Sequence, residues 1–358
     1  MSDKTSTSAT AENSIPLLAR DIEAQDGGKD KEYAPEMPPA ASAPTKPSRE
    51  AKRNFLVWTA LNMLATIGIV FTNKAIFNDP AFKLMQTSFA SFHFVCTGLT
   101  LWVVSRPSIG AFVPKRAGIV EMLPLAFSMC LNVVLPNFSL AFCTVTVYQL
   151  CRVLLTPLTA IINYVFYSAT IPRRAALALV PVCIGVGVTS YYDTKPAGPA
   201  TADGPVQTTS LIGVIFALSG VCASSAYTVL IGAYHKKLQM SSSQLLLNQA
   251  PISSVMLLFA VPLVDHIPVL VDVPRYRWLM ILMSGGFAAL INISQFFIVA
   301  GSGPVSSTVV GHLKTVSIVT IGWALSGRGL TDMGAFGILI TVGGIVYYSS
   351  IMLNKPKA

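Results

Sequence analysis

The chain contains 358 residues, of which 53% are hydrophobic and only 11% are charged, and its mean hydropathy is +0.61. A soluble globular domain carries about 25% charged residues, so this composition excludes a soluble domain and predicts a protein dissolved in a lipid bilayer. The formal net charge of +9 is explained by lysines and arginines that orient helices and contact lipid head groups. It does not imply a nucleic-acid partner.

Residues 1–53 differ in composition from the rest of the chain. The first fifty are rich in Ser, Thr, Ala and Pro, hold nine of the sixteen acidic residues and lack an apolar periodicity. Such a segment buries too little apolar surface to fold, so we expect a disordered cytosolic tail. It has neither the basic start and apolar core of a secretory signal nor the Arg-rich, acid-poor composition of an import peptide for plastids or mitochondria.

Ten apolar runs follow, most of them about 20 residues long, enough to cross about 30 Å of hydrocarbon. We place them at 55–77, 84–105, 119–140, 144–168, 174–192, 210–233, 245–263, 278–300, 305–326 and 332–353. The sequence therefore predicts an all-α polytopic membrane protein with ten transmembrane helices. Five lie in residues 54–192 and five in residues 210–353, with a loop at 193–209 between them and a short C-terminus at 354–358.

The lysines and arginines between the runs indicate an orientation. With the N-terminus in the cytosol, counting them on alternate sides of the membrane gives thirteen on the cytosolic side and five on the other. Cytosolic loops are enriched in Lys and Arg. Both termini are therefore predicted to be cytosolic, and the 193–209 loop is predicted to be lumenal.

Three cations remain in or near the hydrocarbon: Lys74, Arg152 and Lys314. Lys74 lies at the end of the first span, where its side chain either snorkels to the interface or faces a substrate. Arg152 and Lys314 lie deeper, and a cation at the centre of a span costs at least about 2.5–3.5 kcal/mol. Outside the tail every Asp and Glu lies in a loop or at a span edge. Two interpretations follow. Either backbone carbonyls or water solvate these cations, or, as the more specific interpretation, an anionic cargo binds to them.

The two deeper cations occupy corresponding places in the two halves of the chain. An offset of 162 residues sets "TVTVYQLCR" over "SSTVVGHLK" and aligns Arg152 with Lys314. Five spans per half, an odd number, place the two repeats in opposite orientations. Inverted repeats of this kind hold the substrate near the bilayer midplane and expose it alternately to each side. We therefore expect both cations to reach one pocket from opposite sides.

Polar and aromatic residues around Arg152 suit an organic anion. Tyr148 lies one helical turn before Arg152 and on the same face, where its ring can lie against a base or a sugar. Gln149 lies near that face and carries both a donor and acceptors.

The other half of the predicted site comes from later spans. Thr308, Gly311 and Lys314 share a face of the ninth span, where Gly311 lets a ligand approach the backbone. His312 points elsewhere on a regular helix and is interpreted as a packing residue. Four further polar candidates, each alone more typical of a helix–helix hydrogen bond, are Asn248, Gln249, Asn292 and Gln295.

Five short motifs support a family resemblance: "NKAIF" at 73–77, "VYQLCR" at 147–152, "TSYYD" at 189–193, "QAPISS" at 249–254 and "GHLK" at 311–314. In this order the chain resembles the nucleotide-sugar transporters of the triose-phosphate-translocator branch, within the drug/metabolite transporter superfamily. Within that branch it is most similar to fungal UDP-galactofuranose transporters. The resemblance implies a Golgi-membrane antiporter that imports a UDP-sugar and returns UMP. It also implies that Arg152 and Lys314 bind phosphate.

Departures from related families narrow the expected cargo. GDP-mannose transporters carry "FYNN" and "GALNK" where this chain has "LLNQAP" and "VGHLK", which disfavours guanine recognition. Plastid phosphate translocators carry Lys-Arg in the ninth span, whereas Thr315 follows Lys314 here. UDP-galactose, UDP-glucose, UDP-xylose, GDP-mannose and another phosphorylated metabolite stay as alternative cargoes. The oligomeric state, monomer or homodimer, also stays open.

An enzyme is not expected. A membrane glycosyltransferase needs acidic residues for a metal or a general base, and the sequence contains no DxD spacing. The six cysteines lack the spacing of a metal site or a disulfide framework, so we predict neither a metal nor a cofactor. Proton- or sodium-coupled transport usually relies on intramembrane carboxylates. Because every Asp and Glu outside the tail lies in a loop or at a span edge, the sequence favours anion exchange instead.

Overall fold

The structure, a computed structural model, describes residues 49–168, 172–195, 208–268, 273–325 and 333–353. Within them the side chains of 49–52, 295–297, 299–310, 312, 352 and 353 are left out of the description. In chain order the helices are α1 (Arg49–Phe77), α2 (Gln86–Val104), α3 (Ile119–Phe142), α4 (Val145–Val153), α5 (Leu155–Tyr167), α6 (Arg173–Asp193), α7 (Leu211–Leu238), α8 (Ser242–Val264), α9 (Arg275–Ala324) and α10 (Met333–Leu353).

The described helices expose apolar side chains and bury polar ones. Leu64, Phe166 and Leu263 are 66%, 76% and 87% exposed, whereas Asn62 and Gln249 are fully buried. Among the described residues, nine helical stretches are long and apolar enough to cross a membrane, and 313–324 is a shorter apolar stretch. The chain is a multi-pass membrane protein, and the prediction of an all-α fold is confirmed for the described residues, which form helices and no strands.

The predicted tail, 1–53, overlaps the first helix. The backbone is already helical at Arg49, and residues 1–48 lie outside the described residues. The stretch "REAKR" consists of good helix formers, which accounts for the earlier start of α1.

The helices pack in pairs that join the two halves of the sequence. α6 packs against α10, α2 against α8, α3 against α7, and α1 against α9. In addition α3 contacts α8, α9 contacts α2, and α5 contacts α7. We call the side at which α1 begins the near side of the bundle and the side at which α1 ends the far side.

Asp265, at the far-side end of α8, explains how α2 begins. Its carboxylate accepts hydrogen bonds from the backbone N–H groups of Thr87 and Ser88, at 3.1 and 2.6 Å. The first N–H groups of a helix have no partner within the helix, and the helix dipole also favours an anion there. Asp265 therefore joins α2 to α8, which also meet through the hydroxyls of Ser91 and Ser254, 3.0 Å apart.

The fourth predicted span, 144–168, contains two helices rather than one. α4 ends at Val153 and α5 begins at Leu155, with Leu154 between them. Pro157 has no N–H group and its ring clashes with the carbonyl four residues earlier, that of Val153. The helix is therefore interrupted at Leu154, two residues after Arg152.

The eighth and ninth predicted spans are joined in α9, whose backbone is helical from Arg275 to Ala324. A straight helix would separate Ser294 from Lys314 by about 30 Å, yet both side chains hydrogen-bond to Asn62. α9 therefore bends between these residues, in an interval that contains Pro304, a usual cause of sharp bends. We call 275–294 its first arm and 313–324 its second arm.

Glycines bring α6 and α10 into contact. A Cβ atom on Gly185 would lie 2.6 Å from the carbonyl oxygen of Gly337, and one on Gly337 would lie 2.8 Å from that of Gly185. The same two positions face Thr341 and Thr189, respectively, on the opposite helix. The two backbones are therefore too close for any larger residue.

Gly337→Ala is expected to destabilise the protein by about 1–3 kcal/mol, because overpacking a tight contact forces the backbones apart. Thermal unfolding of the purified protein in detergent measures this as a lower midpoint. Gly343→Ala on the same helix is the matched control, since a Cβ there meets no atom within 4 Å. An equal midpoint for the two variants would contradict the close contact between α6 and α10.

Candidate functional site

Arg152 is positioned by the short helix α4. The hydroxyl of Thr144 caps the start of α4 by accepting a hydrogen bond from the N–H of Val147 at 3.3 Å. The same hydroxyl donates to the buried carboxylate of Asp193, at the far-side end of α6, at 2.9 Å. α4 is nine residues long, so Arg152 lies in its last turn, where the helix dipole favours a cation. Both ends of α4, the anchored start and the break at Leu154, therefore fix where Arg152 lies.

A narrow pocket between α3, α4, α5 and α7 receives Arg152. The guanidinium lies 5.8 Å from the centre of the Tyr148 ring, within the range of a cation–π contact. The pocket is lined by Pro136, Ser139, Tyr148, Arg152, Leu155, Ala217, Gly220, Val221 and Ser224. The cavity volume is about 10 Å³, which is the room that one water molecule needs. This volume is far smaller than a nucleotide, although Arg152 itself is an exposed residue.

Lys314 has a neutral partner rather than a carboxylate. Its ammonium donates a hydrogen bond of 2.6 Å to the side-chain oxygen of Asn62. The amide nitrogen of Asn62 donates in turn to Ser294 at 2.8 Å and to the carbonyl of Ile291 at 3.1 Å. Among the described residues, neither Lys314 nor Arg152 forms an ion pair with Asp or Glu.

The two cations lie at the same level on neighbouring helices. Gln149 of α4 donates to the hydroxyl of Thr315 on the second arm of α9, at 3.4 Å. A Cβ on Gly322 would lie 3.1 Å from the hydroxyl oxygen of Thr146. The two helices are thus antiparallel, because later residues of α4 meet earlier residues of α9. This register places Lys314 opposite the turn of α4 that carries Arg152.

Lys74 lies at the far side. Its ammonium donates to the carbonyl oxygens of Leu140 and Cys143, at 3.0 and 2.5 Å, at the C-terminal end of α3, where a cation is favoured. Lys74 also lines an open far-side pocket of about 340 Å³, as do Lys83 and Thr144. The ammonium of Lys74 is thus solvated by backbone carbonyls while it also borders this far-side pocket, and both roles that the sequence left open stay predictions.

Three other predicted residues fasten helices or loops. The Asn248 amide donates to the carbonyl of Lys115 at 2.8 Å and its oxygen accepts from the N–H of Ala117 at 3.1 Å. Gln249 donates to a Tyr hydroxyl of α7 at 2.9 Å, and Asn292 donates to a Thr hydroxyl of α2 at 3.1 Å. The hydrogen bonds of Gln249 and Asn292 join helices, the alternative role expected of such residues, whereas those of Asn248 join α8 to the loop before α3. None of these hydrogen bonds is to Arg152 or Lys314.

The remaining predicted residues are on α9. The side chains of Gln295 and Thr308 lie outside the described residues. At Gly311, one turn before Lys314, an added Cβ would meet no atom within 4 Å. Among the described residues, nothing therefore packs against the backbone at Gly311.

Sequence reasoning missed two residues next to the cations. Asn62 bonds to Lys314, and Ser224 lines the pocket of Arg152. The offset of 162 that relates Arg152 to Lys314 also relates Asn62 to Ser224. Applying that offset to polar residues within the spans would have found this second pair.

Comparison with known proteins gives relatives along most of the chain. The chain is 29% identical to UDP-rhamnose/UDP-galactose transporter 3 of Arabidopsis thaliana over 299 residues, 82% of this chain and 81% of the relative. It is 25% identical to UDP-xylose transporter 1 of the same plant over 296 residues, 81% of each chain. It is 24% identical to the plant's GDP-mannose transporter GONST5 over 316 residues, 85% of this chain and 87% of the relative. These three relatives are nucleotide-sugar transporters.

These nucleotide-sugar transporters are not enzymes, which agrees with the prediction that this chain is not an enzyme. No protein-family model matches the chain. A crystal structure resembles it at 14% identity with a TM-score of 0.48, over 82% of this chain and 99% of that one, a likeness too weak to carry an argument.

Proposed function

We propose that this protein exchanges a nucleotide sugar for a nucleoside monophosphate across the membrane. The observation that carries the proposal is the pair Arg152 and Lys314, at the same level and without an ion-pair partner among the described residues. A pyrophosphate brings charge enough for both, and the planar guanidinium can bind it through two parallel hydrogen bonds. Bound cargo then lowers the cost of keeping two cations within the membrane.

We further propose that the fold consists of two inverted five-span repeats, counting α4 with α5 as the fourth span and the arms of α9 as the eighth and ninth. Exchanging each span for the one five places away leaves the pairs α6–α10 and α2–α8 unchanged. The same exchange turns the contact between α3 and α7 into the contact between α1 and the first arm of α9. It also turns the contact between α3 and α8 into the contact between α2 and the first arm of α9. The contact of Gly185 with Thr341 is likewise converted into that of Gly337 with Thr189.

Alternating access follows from this arrangement and from the narrow pocket. Inverted repeats allow one set of helices to rock against the other around a central site. The pocket at Arg152 has room for about one water molecule, and this supports a mechanism in which the surrounding helices separate to admit a nucleotide. An empty carrier would reorient with two uncompensated cations, and this favours exchange over one-way transport.

For the cargo we propose a UDP-sugar, with UDP-galactofuranose as the first candidate and UMP as the returning nucleotide. The transporters named above for UDP-rhamnose, UDP-galactose and UDP-xylose support a UDP-sugar, and the motif differences argue against GDP-mannose. The proposed location is the Golgi membrane, with both termini cytosolic. Arg152 and Lys314 belong to one chain, so this site does not require a homodimer.

Uptake by purified protein in liposomes tests the proposed function. Liposomes preloaded with UMP, or left empty, receive labelled UDP-galactofuranose, UDP-galactose, UDP-glucose or GDP-mannose. We expect uptake of one UDP-sugar that depends on internal UMP. Equal uptake into empty liposomes would contradict exchange, and uptake of none of the four would redirect the site to another phosphorylated metabolite.

A further inference from the structure

The helix that follows Arg152 buries a polar face. In α5 the buried residues are Thr159, Ala160 and Asn163, whereas Ile161 and Phe166 are exposed. α5 packs mainly against α7 among the described helices, so its polar face is directed away from lipid and toward the helix that lines the Arg152 pocket. Buried polar side chains of this kind nearly always have a hydrogen-bond partner.

Three buried side-chain atoms on α5 and α7 lack a hydrogen-bond partner among the described residues. They are the hydroxyl oxygens of Thr159 and Ser225 and the amide oxygen of Asn163. The three residues are 1%, 0% and 4% exposed, so bulk water does not solvate them. A buried polar atom without a partner is destabilising. A cluster of three is therefore an arrangement that a bound ligand can relieve.

These atoms continue the Arg152 pocket toward the near side. Leu155 of α5 and Val221 of α7 both line that pocket, and the two helices run parallel because both begin at the far side. One turn further along lie Thr159 and Ser225, about 6 Å beyond, and Asn163 lies about 12 Å beyond Leu155. The pocket and the three polar residues therefore form one line between α5 and α7, which we call the polar seam.

We propose that the polar seam, formed by Thr159, Asn163 and Ser225, binds the uncharged nucleoside end of the cargo whose phosphates are held at Arg152. This inference rests on the proposed function. A nucleoside offers ribose hydroxyls and the N–H and carbonyl groups of a base. Hydroxyls of Thr and Ser both donate and accept hydrogen bonds, and the amide oxygen of Asn accepts them. The reach of the seam, about 12 Å, suits a nucleoside extended away from its phosphates.

The test separates nucleoside binding from phosphate binding. Variants Thr159→Val, Asn163→Leu and Ser225→Ala remove the polar atoms at nearly constant volume. For each, the inhibition of UDP-sugar uptake is titrated with UMP and, separately, with inorganic pyrophosphate. Thr100→Val is the control, because the Thr100 hydroxyl lies on α2 and donates within its own helix, to the carbonyl of Cys96.

We expect each seam variant to need about five- to tenfold more UMP for half-inhibition, the effect of losing one hydrogen bond. Inhibition by pyrophosphate should stay as in the wild type, and the control should match the wild type with both inhibitors. The variants should unfold at the wild-type temperature or above, since an unpartnered buried polar atom has been removed.

Four outcomes would overturn the inference. Unchanged inhibition by UMP would remove the seam from the binding site while leaving exchange intact. Equal weakening of UMP and pyrophosphate, or a lower unfolding temperature, would assign the three residues to the packing of α5 on α7. Failure of UMP to inhibit the wild type would overturn the proposed function, and the seam with it.

Discussion

Arg152→Ala is expected to lower the initial rate of UMP-dependent uptake about 100-fold while the protein still folds. A charge-assisted hydrogen bond contributes about 1.5–3 kcal/mol, and a loss of about 3 kcal/mol corresponds to roughly a hundredfold change in affinity. Lys314→Ala should have a similar effect, because the two cations lie at the same level. Initial rates in liposomes, compared at equal amounts of reconstituted protein, measure the loss.

Two control variants separate charge, geometry and folding. Arg152→Lys keeps the charge but loses the planar fork of donors, so we expect an intermediate rate. Arg106→Ala removes an exposed cation that stacks on Trp102, 3.7 Å from the ring centre, and should leave the rate unchanged. A normal rate in Arg152→Ala would show that the phosphate site lies elsewhere.

Asn62→Asp is expected to lower uptake at least about tenfold by giving Lys314 a permanent counterion. Asn62 is fully buried and its oxygen lies 2.6 Å from the Lys314 ammonium. A carboxylate of the same shape there would form an ion pair in a low-dielectric setting, and the cargo would have to compete with it. The measurement is the KM for UDP-sugar uptake. We expect this KM to rise and the uptake rate at low substrate concentration to fall.

Asn62→Ser is the matched control for that variant, since Ser224 occupies the related position beside Arg152. It removes the amide without adding a charge, so its KM should stay much closer to that of the wild type. If Asn62→Asp and Asn62→Ser behave alike, then the charge of Lys314 plays no part in binding cargo.

Sequence reasoning predicted the features that depend on short, local patterns of residues. A run of apolar residues long enough to span a bilayer is visible in any window of the chain, so the helices and the membrane class could be predicted. The correspondence of Arg152 and Lys314 is a fixed offset in the sequence. The break at Leu154 was also within reach, because Pro157 interrupts a helix near the fourth residue before it.

Long-range partners were out of reach for the same physical reason. The hydrogen bond from Asn62 to Ser294 joins residues 232 positions apart, and the cap that Asp265 places on Thr87 spans 178 positions. No local periodicity encodes which of several buried polar groups will meet. The contact of both arms of α9 with Asn62 is long-range as well, since Ser294 and Lys314 lie more than 200 positions from it.

The pairing of α1 with α9 has a consequence for biogenesis. The amide of Asn62 finds its partner at Ile291, 229 residues later in the chain. At roughly 5–20 residues per second of synthesis, α1 therefore stays in the bilayer for about 10–50 s before its partner is made. During that interval the side-chain amide of Asn62 is without the partner that it has in the folded protein.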